Sequence, residues 1–224
     1  MGDIDAVLFD LDGTLCRRTQ DMQAVYERAF ERVGETPFGD PPALWEALDG
    51  PPDHGDTVGY FGAGLARVAA QHGRSSVDTL AVARALVSEI DDSAVTHLPG
   101  TETALESAAA VGPIGVVTNG PIDRQRTKLD ALGVTGRFDA VVYGAELSRS
   151  KPHTAPFDRA LEEIDVARER TLYVGNSLAY DVAGAHNAGL SVAWLRADED
   201  AGAYEPEYVI DSLVELPAIL RGNG

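Results

Sequence analysis

The second half of the sequence alternates short apolar runs with amphipathic segments, and this alternation constrains the fold more than any other feature. Each apolar run, such as 114–117 or 171–174, is followed by a turn and then by apolar residues at helical spacing. Repeated strand–helix units favour a doubly wound parallel sheet of the α/β class, with helices on both faces. The predicted strands cover 6–9, 114–117, 140–143, 171–174, 191–195 and 208–210, and the predicted core helices cover 101–110, 121–132, 155–164, 179–188 and 212–220.

The first predicted strand ends in two acidic residues. The apolar run from Ala6 to Phe9 is followed by Asp10 and Asp12, and Gly13 allows a sharp turn directly after them. Side chains two residues apart on an extended segment point the same way, and ligands of open α/β sheets bind at the carboxyl ends of the strands. A plain Asp-Gly turn or a helix cap would need the same residues, so this stretch alone leaves both interpretations open.

The sequence Asp10-Leu11-Asp12-Gly13-Thr14 resembles motif I of the haloacid dehalogenase-like hydrolase superfamily. The resemblance implies a Rossmann-like core, a nucleophilic role for Asp10 and a general acid/base role for Asp12. It also predicts three further motifs in a fixed order along the chain.

All three motifs occur after predicted core strands. Thr118 resembles the motif II hydroxyl, and the backbone N–H groups of Asn119 and Gly120, at the start of the next helix, can hold phosphate oxygens. Lys151 resembles the motif III lysine, and the resemblance implies that Lys151 and Thr118 hold the oxygens of the transferring phosphoryl group. Since the chain has only two lysines, an ordinary surface role for Lys151 is less expected than it would be in most proteins.

The segment that starts Gly175-Asn176-Ser177 and reaches Asp181 resembles motif IV, which usually reads Gly-Asp-Ser. Here an amide replaces the first acid, although an amide carbonyl can still supply a hard oxygen to magnesium. The resemblance implies a Mg²⁺ site made by the Asp10 carboxylate, the Asp12 backbone carbonyl and Asn176, supported by Asp181.

Residues 16–97 interrupt the α/β pattern with helical periodicity alone. We predict helices over 21–33, 57–72 and 77–90, and a short helix in the Pro/Gly-rich segment 37–52. An all-helical insertion at this point resembles the C1-type cap of the superfamily, which leaves 1–15 and 98–224 as the core. A helical domain without a gating role is the alternative.

Composition limits the class of partner. Eighteen basic and thirty-six acidic residues give a net charge of −18, which opposes general binding to nucleic acid or to an anionic membrane. No apolar run approaches the roughly 20 residues of a membrane span, and no signal peptide precedes the first strand, so we predict a cytoplasmic protein. The lone Cys16 is read as a packing residue. The acidic, lysine-poor composition fits either a high-salt (halophilic) cytoplasm or GC-biased codons, and the two stay equally open.

These observations together predict a magnesium-dependent phosphatase that hydrolyses a small phosphorylated metabolite through an aspartyl-phosphate. One alternative is a 2-haloacid dehalogenase-type hydrolase, against which Asp12 argues, because those enzymes lack the second acid of motif I. The other alternative is a catalytically weak phosphate-binding or regulatory module, which the replacement at Asn176 suggests. The sequence leaves open whether the protein is a monomer or a homodimer.

Overall fold

The protein contains a six-stranded parallel sheet and a separate two-stranded ribbon. A computed structural model describes residues 4–48, 54–197 and 200–222, so the end of the predicted Pro/Gly-rich segment lies outside the described residues. The strands in chain order are β1 (Ala6–Phe9), β2 (Cys16–Arg18), β3 (Val95–His97), β4 (Ile114–Thr118), β5 (Ala140–Tyr143), β6 (Thr171–Gly175), β7 (Ser191–Leu195) and β8 (Tyr208–Ile210).

The large sheet has the strand order β5-β4-β1-β6-β7-β8, with every neighbouring pair parallel. Strand β1 lies between β4 and β6, and Phe9 pairs with Val116 on one side and Val174 on the other. The prediction of a doubly wound parallel sheet is therefore confirmed. The motif residues that follow β1, β4 and β6 meet at one edge of the sheet because these three strands are neighbours.

Strand β1 is buried on both faces, which explains why its sequence is continuously apolar. Val7 and Phe9 pack into one hydrophobic cluster, which includes Leu105 and Leu129 from two helices. The alternate residues Ala6 and Leu8 pack into a second cluster on the opposite face. Because successive side chains point to opposite faces, this one strand contributes residues to the hydrophobic core on each side of the sheet.

Nine α-helices lie within the described residues. They are α1 (Met22–Val33), α2 (Pro41–Ala47), α3 (Thr57–Gln71), α4 (Thr79–Glu89), α5 (Thr101–Val111), α6 (Ile122–Ala131), α7 (Ala155–Ile164), α8 (Ala183–Asn187) and α9 (Leu216–Leu220). Two predicted helices begin with a different geometry: a π-helical turn at Leu178–Val182 precedes α8, and a 3₁₀ turn at Leu213–Glu215 precedes α9. No helix among the described residues is both long and apolar enough to cross a bilayer.

The chain divides into two compact units, one that runs to Arg18 and resumes at Val95, and one that covers Thr19–Ala94. The second unit contains α1 to α4 around its own core, which includes Tyr26, Phe30 and Leu65. All four helices begin after an aspartate whose carboxylate accepts backbone N–H groups of the first turn. Such a cap contributes about 1 kcal/mol, so part of the acidic excess serves helix stability.

A feature the helical pattern did not predict is the ribbon of β2 and β3. The two strands pair antiparallel, Cys16 with His97 and Arg18 with Val95, at both ends of the inserted segment. Strands of three residues are too short to show a periodicity, so only the pairing between distant parts of the chain reveals them.

Candidate active site

Asp10 follows β1 and is held at the edge of the sheet. Its backbone N–H donates to the carbonyl of Val174 at 2.9 Å, which continues the β1–β6 ladder by one step. One carboxylate oxygen, Oδ1, accepts from Lys151 Nζ at 2.8 Å, and the other accepts from the Thr14 hydroxyl at 3.2 Å. Both oxygens of this buried carboxylate are therefore oriented by the protein.

Lys151 is enclosed by oxygen atoms. Its Nζ donates to Asp10 Oδ1 at 2.8 Å, to Asp181 Oδ1 at 2.7 Å and to the Val117 carbonyl at 2.8 Å. The hydroxyl of Tyr173 lies 2.9 Å from the same nitrogen, and only 2% of the Lys151 side chain is exposed. The surface interpretation of Lys151 is excluded, because the ammonium is a buried ion shared by two carboxylates.

Burial and oppositely charged neighbours have opposite effects on the pKa values of Asp10 and Lys151. The pKa of Asp10 is raised to about 7, because burial and the neighbouring Asp181 raise it by more than the Lys151 cation lowers it. Burial by itself would lower the pKa of Lys151, but Asp10 and Asp181 outweigh it and leave that pKa above its usual value. Burial and the same two carboxylates raise the pKa of Tyr173, so its hydroxyl stays protonated as a donor.

Asp12 forms a salt bridge with Lys128, the second lysine of the chain. Lys128 Nζ lies 2.8 Å from Asp12 Oδ1 and 2.7 Å from Oδ2, and Gln125 Nε2 donates to Oδ2 at 2.8 Å. The Asp12 side chain is 51% exposed, in contrast to the buried Asp10. The two acids of motif I are thus one enclosed carboxylate and one accessible carboxylate, each paired with its own lysine.

Thr118 ends β4 beside these groups. Its Oγ1 accepts from Gln125 Nε2 at 2.5 Å and from the backbone N–H of Gly120 at 3.4 Å. The side chain of Asn119 is used differently, since its Oδ1 accepts from the Lys151 N–H at 2.8 Å and its Nδ2 donates to the Lys151 carbonyl at 3.0 Å. This reciprocal pair fixes the loop that carries Lys151.

Asn176 follows β6 and faces the turn of motif I. Its Oδ1 accepts from the Thr14 hydroxyl at 3.2 Å, and its backbone carbonyl accepts from Trp194 Nε1 at 2.9 Å. Gly13 has a φ of 83°, and a Cβ there would lie 2.6 Å from Asn176 Nδ2. The turn therefore needs glycine both for its backbone conformation and for the approach of Asn176.

Asp181 lies in the π-helical turn and is fully engaged by protein donors. Oδ1 accepts from Lys151 Nζ and from the Tyr173 hydroxyl at 3.0 Å, and Oδ2 accepts from the Ser177 N–H at 2.9 Å. A Cβ at Gly175 would lie 2.5 Å from Asp181 Cβ, so the glycine permits this close approach. The metal role that the resemblance implies for Asp181 stays a prediction. In this geometry the carboxylate orients Lys151.

The oxygen atoms around Thr14 are candidates for holding a magnesium ion. Asp10 Oδ2 and Asn176 Oδ1 each lie 3.2 Å from Thr14 Oγ1, so a carboxylate oxygen and an amide oxygen both lie beside the motif I turn. Both are hard ligands of the kind Mg²⁺ prefers. In the described part of the chain, no group of three or more His, Cys, Asp or Glu side chains could hold a metal ion.

Three functional neighbours were missed in the sequence. Gln125 and Lys128 contact Asp12 from one face of α6, and Tyr173 contacts Lys151 from within β6. The scarcity of lysine could have indicated Lys128, and the spacing i, i+3 places Gln125 on the same helix face. Nothing local distinguishes Tyr173 from a core aromatic residue.

A parallel sheet with a buried carboxylate directly after its first strand, a hydroxyl at the end of a neighbouring strand and a buried lysine is an arrangement typical of a class of α/β hydrolases. The family model described as haloacid dehalogenase-like hydrolase matches residues 7–195 of this chain. The protein belongs to this family, which confirms the resemblance and the prediction of an enzyme of the hydrolase class.

Two curated relatives align over almost the whole chain. The pyrimidine 5′-nucleotidase YjjG of Escherichia coli (strain K12) is 31% identical, over 96% of this chain and 97% of the relative. The pyrophosphatase PpaX of Bacillus mycoides (strain KBAB4) is 30% identical, over 99% of both chains.

Solved structures show the same fold. A predicted phosphoglycolate phosphatase from Haemophilus somnus 129pt superposes with a TM-score of 0.77 at 21% identity, covering 98% of this chain and 99% of that one. The HAD-hydrolase YfnB from Bacillus subtilis, solved bound to magnesium, has a TM-score of 0.74 at 23% identity, covering 98% of this chain and all of that one.

Proposed function

We propose that this protein is a magnesium-dependent phosphatase that hydrolyses a small phosphomonoester through an aspartyl-phosphate on Asp10. The observation that carries the proposal is the difference in exposure and in bonding partners between the two motif I acids. Asp10 is buried and held by Lys151, as a nucleophile must be, whereas Asp12 is half-exposed, as a group that exchanges protons with substrate and water must be.

The chemistry has two steps. A carboxylate oxygen of Asp10 attacks phosphorus, the bond from phosphorus to the ester oxygen breaks, and Asp12 gives that oxygen its proton. A water molecule then attacks the aspartyl-phosphate while Asp12 accepts its proton, which releases inorganic phosphate and restores the Asp10 carboxylate. Asp12 ends the cycle protonated and ready for the next ester, so the protons balance.

Thr118 and the neighbouring backbone are the proposed phosphate contacts. Among the described residues, both hydrogen bonds at Thr118 Oγ1 come from N–H donors, so the hydroxyl acts as acceptor in each. Its own proton is therefore available for a phosphate oxygen. The start of α6 directly beyond Gly120 has no side-chain cap at Pro121 and adds the positive end of the helix dipole.

The charges around Asp10 support a divalent cation. Asp10, Asp181 and Lys151 sum to −1 when ionised, and a phosphate dianion would bring the total to −3. A dianion about 4 Å from one carboxylate is repelled by roughly 8 kcal/mol at an effective dielectric constant of 20. Asp10, Asn176 and the Asp12 carbonyl would hold the Mg²⁺, which when bound supplies the charge that offsets this repulsion.

We propose the helical insertion, 16–97, as a C1-type cap that selects among phosphate esters. Its support is the point of insertion, directly after the motif I turn. Replacing residues 19–94 by the equivalent segment of the pyrimidine 5′-nucleotidase relative should change the preferred ester, while the dependence of turnover on Asp10 is kept. An unchanged preference would assign substrate choice to the core.

The proposal is tested by a panel of phosphate esters, with pyrophosphate as a phosphoanhydride beside them, in the presence of magnesium, comparing wild type with Asp10→Asn. Pyrimidine nucleotides, phosphoglycolate and pyrophosphate belong in the panel because relatives are named for them. We expect wild type to release phosphate from at least one ester, and Asp10→Asn to lose this by more than about 10³-fold with an unchanged circular dichroism spectrum.

Two results would contradict the phosphatase. Phosphate binding without turnover of any ester would favour the binding module. Release of halide from a 2-halo acid in place of phosphate release would favour the dehalogenase alternative.

A further inference from the structure

We infer that Gln125 and Lys128 are positioning residues, which hold the Asp12 carboxylate where it exchanges a proton with the leaving oxygen and with the attacking water. The inference rests on the proposed function, because it assigns these residues a role in the same reaction. We call the two residues the α6 clamp.

The first observation is the burial of Lys128. It is 5% exposed, whereas its neighbours Arg126 and Thr127 on α6 are exposed. A lysine is almost never this buried without a partner. The chain has only two lysines, and both point at a carboxylate of motif I.

The second observation is that the Asp12 carboxylate accepts three hydrogen bonds from side chains of α6. Lys128 Nζ reaches both carboxylate oxygens, which fixes the plane of the carboxylate, and Gln125 Nε2 adds a contact to Oδ2. Within the described residues, Oδ1 accepts from Lys128 alone. Oδ1 is thus the oxygen with spare lone-pair capacity, and we assign the proton transfer to it.

The third observation links the clamp to the phosphate contact. The amide nitrogen of Gln125 lies 2.8 Å from Asp12 Oδ2 and 2.5 Å from Thr118 Oγ1, so one NH₂ group joins the acid/base to the motif II hydroxyl. A Cβ at Gly120 would lie 2.5 Å from Gln125 Cδ, so this glycine leaves the space that Gln125 occupies. The clamp therefore sets the distance between the proton donor and the phosphate site.

A purely structural ion pair is a poor explanation of these contacts. Lys128 is buried but Asp12 is half-exposed, so water solvates the carboxylate and weakens what the pair contributes to stability. Three contacts on one side chain fix the position of the Asp12 carboxylate more than they stabilise the fold.

The test exploits the fact that a good leaving group needs no proton. Lys128→Met, with wild type beside it, is assayed on an alkyl phosphate such as glycerol phosphate and on p-nitrophenyl phosphate. For the alkyl ester we expect kcat to fall by about 10²-fold with KM within about threefold, since general acid–base catalysis supplies about 10²–10⁴-fold. For the aryl ester, the first turnover should stay within about threefold of wild type.

The rate after the first turnover distinguishes the variants most clearly. Hydrolysis of the aspartyl-phosphate also needs Asp12, so Lys128→Met should release a burst of one nitrophenolate per enzyme, followed by a slow steady rate. Lys128→Arg, which keeps a cationic donor, should restore much of the steady rate. Arg126→Met removes an exposed cation from the same helix and should behave like wild type on both esters.

The outcomes separate this inference from the proposed function. If wild type hydrolyses neither these two esters nor any compound of the wider panel, or if Asp10→Asn stays active, the proposed function fails. If wild type is active and Lys128→Met loses both esters equally, with no burst, the α6 clamp does not act through Asp12 and the inference is overturned. Should Lys128→Met not fold, Lys128→Gln replaces it, with the same pattern expected and the same result overturning the inference.

Discussion

The two lysines of the chain should differ sharply in what they contribute to stability. Lys151 contacts Asp10 and Asp181, whose side chains are 10% and 2% exposed, whereas Lys128 contacts Asp12, which is half-exposed. Lys151→Met leaves two buried carboxylates without their shared cation, and breaking a buried pair in this way costs about 3–5 kcal/mol. Lys128→Met leaves a carboxylate that water can solvate, at a cost below about 1 kcal/mol.

Thermal unfolding measures the difference. For a chain of this length, 1 kcal/mol shifts Tm by about 2–4 °C, so Lys151→Met should melt about 6–20 °C below wild type and Lys128→Met less than about 4 °C below it. The double variant Lys151→Met/Asp181→Asn is the control. Removing one of the two like charges should recover part of the lost Tm.

A Lys151→Met variant that melts within about 2 °C of wild type would contradict the expected cost of leaving the two carboxylates unpaired. Equal losses at the two lysines would contradict it as well, because the expected difference rests on the burial and the number of the carboxylates that each lysine contacts. A double variant less stable than Lys151→Met would show that repulsion between Asp10 and Asp181 is not the cause.

The remaining predictions concern the metal, the motif I turn and the single thiol. Asn176→Asp should lower the magnesium concentration for half-maximal rate, most clearly at low ionic strength, because it adds a negative charge beside Asp10. An unchanged titration would remove position 176 from the proposed metal site. Gly13→Ala should lower both Tm and kcat, since φ is 83° there and the new Cβ meets Asn176 Nδ2 at 2.6 Å; an unaffected variant would show that the turn adapts. Burial raises the pKa of Cys16 to about 12, so the native protein should react with iodoacetamide at pH 8 about 10³-fold more slowly than the unfolded chain, and equal rates would contradict its burial.

The sequence by itself determined the elements and most of the residues that meet at the sheet edge. Apolar runs of strand length and helices at regular intervals allow little other than a parallel sheet, and such a sheet brings its carboxyl ends together. Asp10 and Asn176 directly follow two strands and Thr118 is the last residue of a third, and these three strands are neighbours, so knowing the strands was sufficient to bring the residues together. Local periodicity and motif order are both properties that a linear sequence retains.

Only the tertiary structure decided which side chain each carboxylate contacts. Lys128 lies 116 residues from Asp12 and Lys151 lies 141 residues from Asp10, and no periodicity extends over such separations. Asp181 contacts Lys151 because a π-helical turn follows β6, and an α-helical prediction does not give that orientation. These contacts depend on the distance between elements that lie far apart in the chain. That distance is set by how the helices pack on the two faces of the sheet, which the pattern of a single segment does not contain.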